Sequence, residues 1–96
     1  MSENVIWKTS IVPGRNVVSV PFGAKILCVQ SQFSPNEKIT VWFLCNPKEA
    51  QKSHKTFWVT GTGQSFDELE GDFDYLGTVQ MNAGTLVWHI FEGPAE

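Results

Sequence analysis

FWVTGTGQSFDELEGDFDYLGTVQMNAGTLVWHIFE, residues 57–92, is the stretch on which the fold class turns. Residues 56–60 carry Phe57 and Val59 on one side and Trp58 on the other, the period-two pattern of a strand. Gly61-Thr62-Gly63-Gln64 stops that strand. Residues 73–81 and 85–92 read as two more strands, joined by Asn82-Ala83-Gly84, in which Asn and Gly accept the positive φ of a hairpin turn. Between them, Ser65 and Glu68 have the Ser-x-x-Glu spacing of a capping box. The spacing predicts one short helical turn over residues 65–69, ended by Gly71.

Working back toward the N-terminus, residues 4–12 are β-favouring on both faces and form a first expected strand. Pro13-Gly14-Arg15-Asn16 reads as a turn and residues 16–20 as a second strand, so the two are expected to pair as a hairpin. Pro21-Phe22-Gly23 breaks the run, with Pro21 suited to the second position of a turn and Gly23 to its closure. Residues 24–33 and 37–46 are the two longest β-like runs. Their linker, Ser34-Pro35-Asn36, is short enough to force antiparallel neighbours. In the later run Ile39, Val41, Phe43 and Cys45 share one face and Thr40, Trp42 and Leu44 the other. Apolar residues on both faces mark a central strand, or one whose outer face meets a partner. Residues 46–55 are polar and Lys-rich, and Pro47 predicts one helical turn over residues 47–51 in an exposed connection.

Seven short strands with regular turn signals predict an all-β fold: a small antiparallel β-sandwich or barrel with one or two short helical turns. The 96 residues form one domain, 1–96, large enough to bury a core without a metal or disulfide. Hydrophobic residues make up 42% of the chain and charged residues only 18%, a sparse polar covering that points to a homo-oligomer. A formal net charge of −3 and scattered basic residues argue against duplex nucleic acid, whose binding draws on clustered Lys and Arg. Cys28 and Cys45 lie in apolar runs without CxxC spacing and are expected as buried thiols. There is no apolar run long enough to cross a bilayer and no signal-peptide pattern at the N-terminus, so no membrane association and a cytoplasmic location are expected.

The Gly61-Thr62-Gly63-Gln64 turn is the candidate ligand site. Glycines there let successive backbone N–H groups converge on an anion, and the neighbouring hydroxyls add donors. Arg15 or Lys25 would add positive charge, and Trp58 a flat surface for stacking a base. A strand that merely needs glycine to turn a corner would show the same residues, and the four tryptophans also suit a core. His89, with no serine or cysteine motif and no second histidine at useful spacing, reads as a hydrogen-bonded structural residue; His54 reads as exposed. The acidic group Asp67, Glu68, Glu70, Asp72 and Asp74 lacks calcium-loop spacing. No catalytic residues, metal ligands or cofactor are expected.

Five blocks in order, Ile6-Trp7-Lys8, Pro21-Phe22-Gly23-Ala24-Lys25-Ile26-Leu27, Gly61-Thr62-Gly63, Leu76-Gly77-Thr78-Val79-Gln80 and Leu86-Val87-Trp88-His89-Ile90-Phe91-Glu92, resemble an uncharacterised family of small proteins encoded by bacteriophages and prophages. The resemblance implies a small β protein acting inside a host cell, with no enzymatic activity to transfer. Two functions follow as expectations. One is a non-enzymatic binding protein, of counter-defence type, that sequesters a small anionic nucleotide-type ligand. The other is a protein–protein interaction module that inhibits a host protein or serves phage assembly, with no small-molecule ligand.

Overall fold

Ile39, Val41, Phe43 and Cys45 are buried, while Trp42 and Leu44 on the opposite face are only half-buried. A strand has two faces, and this one turns its odd-numbered residues inward. The same alternation organises the whole chain. In a computed structural model, which describes residues 3–66 and 71–94, seven strands follow one another: β1 (Val5–Ile11), β2 (Gly14–Pro21), β3 (Lys25–Phe33), β4 (Glu37–Cys45), β5 (Lys52–Gly61), β6 (Asp74–Met81) and β7 (Leu86–Glu92).

They form two antiparallel sheets, one of three strands in the order β1-β4-β3 and one of four in the order β2-β5-β7-β6. The sheets face each other as a sandwich and do not close into a barrel. The core lies between them. Ile11, Val29, Ile39 and Val41 come from the first sheet and Phe57, Val59, Val79 and Ile90 from the second, each no more than 8% exposed. Burying a side chain of this size contributes about 1.5–3 kcal/mol, so this layer is the main favourable term holding the sheets together. A smaller cluster of Val20, Ala24, Phe43 and Cys45 extends it. Its Cys45 thiol has a raised pKa, because burial disfavours the thiolate more than nearby Lys52 favours it.

β4, apolar on both faces, is the central strand of its sheet, which explains its pattern. β3 and β4 form the expected hairpin, Phe33 facing Glu37, and β6 and β7 form another, Met81 facing Leu86. The expected β1–β2 hairpin does not exist. β1 pairs with β4 and β2 with β5, so Val12-Pro13 carries the chain from one sheet to the other. Asn16 makes this crossing possible, since its side chain accepts from Val12 N–H at 2.9 Å and donates to the Val12 carbonyl at 2.8 Å. Those are bonds a hairpin partner would otherwise make. The Pro21–Ala24 turn carries the chain back between sheets. Pro21 is its first residue, not its second, as its carbonyl accepts from Ala24 N–H at 3.1 Å.

There is no helix among the described residues. In place of the helical turn expected over residues 47–51, residues 46–49 form a hydrogen-bonded turn: Asn46 accepts from Glu49 N–H through its carbonyl and from Lys48 N–H through its side chain. Such local bonds compete with helical ones. The capping-box expectation reaches into residues 67–70, outside the described residues. β5 begins at Lys52, four residues earlier than the sequence indicates, because Lys52 to Lys55 pair with Pro21 to Val18. Lys55 turns inward there and meets Glu92 at 3.2 Å.

Candidate functional site

Because Phe57 and Val59 face the core, Trp58 and Thr60 must face outward, and the β2–β5 register then sets Arg15 directly beside Trp58. Immediately after β5 the chain folds back on itself. Gly63 takes φ 85, a conformation that side chains with a Cβ rarely adopt, and Gln64 N–H returns to the Gly61 carbonyl at 3.1 Å. Gln64 Oε1 accepts from Gly61 N–H at 2.8 Å, which locks the turn. The reversal brings Ser65 and Phe66 over the sheet, where the Phe66 ring stands edge-on to Trp58 at 6.3 Å and lies 5.2 Å from Phe91.

The result is a cavity of about 280 Å³. Gly14 and Arg15 form one side, Trp58 and Thr60 its floor, and Gln64 and Phe66 the other side. Three of the residues singled out in the sequence, Arg15, Trp58 and Gln64, therefore meet around one space, although Arg15 is far from the other two in the chain. Lys25 does not join them: it lies on β3 opposite Leu44, in the other sheet. Gly61, Thr62 and Gly63 supply the frame of the turn. The amides of Gly61, Thr62 and Gln64 are directed at protein acceptors, Thr62 N–H at the Val87 carbonyl 3.3 Å away. The contribution of the turn to the cavity is thus the Gln64 side chain, whose amino group remains a donor.

Next to this cavity lies a hydrogen-bonded row that the sequence did not disclose. His89 Nε2 is 2.7 Å from Thr62 Oγ1, and its Nδ1 is 3.0 Å from Thr78 Oγ1. The Tyr75 hydroxyl bonds to the same Thr78 oxygen. A neutral imidazole has one N–H, so one order of donation satisfies every group: Tyr75 to Thr78, Thr78 to Nδ1, and Nε2–H to Thr62, or the reverse throughout. Thr60, Thr78 and His89 are neighbours on the outer face by strand register. That register joins three strands, and no spacing along the chain announces it. Tyr75 and Phe73 pack on Phe91 at 5.5 and 5.4 Å, continuing the aromatic layer away from the cavity.

The remaining tryptophans are divided. Trp88 is half-buried against the core; Trp7 stands edge-on to Phe43 at 6.5 Å on an edge strand, and Trp42 lies on the outer face of the three-stranded sheet. Of the two thiols, Cys45 is buried as expected but Cys28 is exposed, since a register shift between Ile26 and Cys28 turns it outward beside Trp42. No cluster of three or more His, Cys, Asp or Glu side chains suited to a metal ion occurs among the described residues. No helix among the described residues is long and apolar enough to cross a bilayer.

The family model for the domain of unknown function DUF7352 matches residues 2–96. The chain belongs to this family. No curated protein and no solved structure matches it. DUF7352 brings no assigned activity with it, so the chemistry of this member has to be read from the Arg15, Trp58 and Gln64 cavity itself.

Proposed function

We propose that this DUF7352 protein is a non-enzymatic binding module that captures a small, planar, anionic ligand of nucleotide type. The observation that carries the reading is the convergence of Arg15, Trp58 and Gln64 on one cavity of about 280 Å³. Each supplies a different part of such recognition. Trp58 offers an aromatic surface for a base, a contact that contributes about 1–3 kcal/mol. Arg15 offers a guanidinium, whose fork matches phosphate or carboxylate oxygens. Gln64 offers its amino group to a ring acceptor. The volume stands at the floor of the ~300–1,000 Å³ of small-molecule pockets, which favours a mononucleotide over a dinucleotide. The resemblance of the five sequence blocks to small bacteriophage and prophage proteins supports a biological reading: the module removes a nucleotide-type signal from a host's defence, inside the host cell.

Titration calorimetry with purine and pyrimidine nucleoside monophosphates tests this. Trp58→Leu and Arg15→Gln should each weaken binding about tenfold or more, with circular dichroism unchanged. Lys25→Gln, in the other sheet, should leave affinity as it is. Absence of heat with every nucleotide for the unaltered protein would reject the reading.

A second reading has its own observation. The outer face of the three-stranded sheet exposes Ile6 (59%) and Leu27 (48%) beside Trp42, an apolar surface suited to docking on a host or phage protein. In that case nucleotide titrations would be silent, and substitutions around Trp42 would abolish function.

A further inference from the structure

We propose that the outer edge of β1 is a self-association surface, onto which a second copy of this chain docks its own β1 antiparallel to extend the sheet. Each sheet has two edge strands, and edges with unpaired backbone groups are normally blunted. Three of the four here are. β3 is bulged between Ile26 and Cys28 and lies against β6, where Gly77 approaches Val29. β6 is bulged between Tyr75 and Gly77. β2 ends in Pro21, and near its start Asn16 folds its side chain back onto the Gly14 carbonyl at 3.2 Å.

β1 has none of these devices. It keeps an unbroken register from Val5↔Cys45 to Ile11↔Ile39 and contains neither proline nor glycine. Among the described residues it pairs with β4 alone, so every second residue turns its N–H and C=O away from the sheet. Its single charge, Lys8, reaches across the sheet to Gln32 Oε1 at 2.8 Å instead of guarding the edge. Large apolar side chains stand exposed on both faces, Ile6 at 59% on the outer and Trp7 at 43% on the inner.

A second copy fits this edge because an antiparallel strand pair with a two-fold axis through its centre uses one surface twice and then closes. With that axis perpendicular to the sheet, outer residues face outer ones and inner face inner. Full overlap of the strand would set Lys8 opposite the partner's Lys8, which is unfavourable. Sliding by one residue pair avoids this. Trp7 then faces the partner's Trp7, and Ile6 faces the partner's Lys8. The outer apolar patches of Ile6, Leu27 and Trp42 from both copies come to lie on one face. Such a strand contact covers much less than the ~800 Å² per partner of a standard interface, so the dimer should form and dissociate with concentration.

The register gives a test by charge sign. Ile6→Lys and Ile6→Glu remove the same apolar side chain from an exposed position, but the first sets a positive charge opposite the partner's Lys8 and the second a negative one. Sedimentation velocity from micromolar to near-millimolar protein should show a concentration-dependent dimer for the unaltered chain. Ile6→Lys should weaken it roughly tenfold relative to Ile6→Glu, with both variants folded by circular dichroism. A monomer throughout for the unaltered chain, or equal weakening by both substitutions, would overturn the proposal.

Discussion

At Gly77 a single hydrogen atom decides how closely the two sheets approach. A Cβ placed there would lie 2.8 Å from Val29 Cγ2, well inside contact distance, and Val29 is a buried core residue from the facing sheet. Gly77→Ala should therefore destabilise the protein by about 1–3 kcal/mol through overpacking. The cause is one methyl group meeting another, so the cost should shrink in the presence of Val29→Ala. Urea unfolding of the two single variants and the double variant closes the cycle. Additive losses would show that the seam is not the cause. His89 teaches the complementary point about residues. Its identity suggested a hydrogen-bonded histidine, but its partners Thr62 and Thr78 come from a turn and another strand.

The β6–β7 hairpin shows how far turn chemistry is readable within an element. Asn82 and Gly84 take the positive φ expected of them, 52° and 86°, but Ala83 between them takes 55° as well. Alanine does not favour that region; the turn is held in it by its surroundings. Asn82 Nδ2 donates to Thr85 Oγ1, and Asn82 N–H donates at 2.7 Å to Glu37 Oε1 at the start of β4, tying the hairpin to the opposite sheet. Ala83→Gly should relieve the local strain by about 1 kcal/mol, less a few tenths for the freer unfolded chain, giving a small net stabilisation. A lowered urea midpoint would contradict it. The strand-to-strand link at Pro13-Gly14 gives the opposite lesson. Its residues suit a tight hairpin equally well, and the Asn16 side chain turns them into a crossing.

For the whole molecule, topology dominates. Among the described residues only β3–β4 and β6–β7 are pairings between neighbours in sequence; β1–β4, β2–β5 and the packing of the two sheets join distant segments. The loop-closure entropy of those contacts has to be met before they contribute stability. Folding is accordingly expected on the millisecond-to-second scale of β-sandwiches. Stopped-flow tryptophan fluorescence measures it directly, and complete refolding within microseconds would contradict the dependence on distant pairings.

The seven strands, the two hairpins and the apolar character of both faces of β4 were legible in the sequence because alternation and turn residues are local physics. A strand's period of two and a glycine's tolerance of positive φ act within a few residues. The pairing of β1 with β4, the open sandwich and the meeting of Arg15, Trp58 and Gln64 were not. These depend on which of several β-favouring edges bury the most apolar surface together, a comparison between segments far apart in the chain. Lys25 and Arg15 look alike as cations in the sequence, yet one lies in each sheet. Only the folded register, set by burial across the core, separates the residue beside Trp58 from the one opposite Leu44.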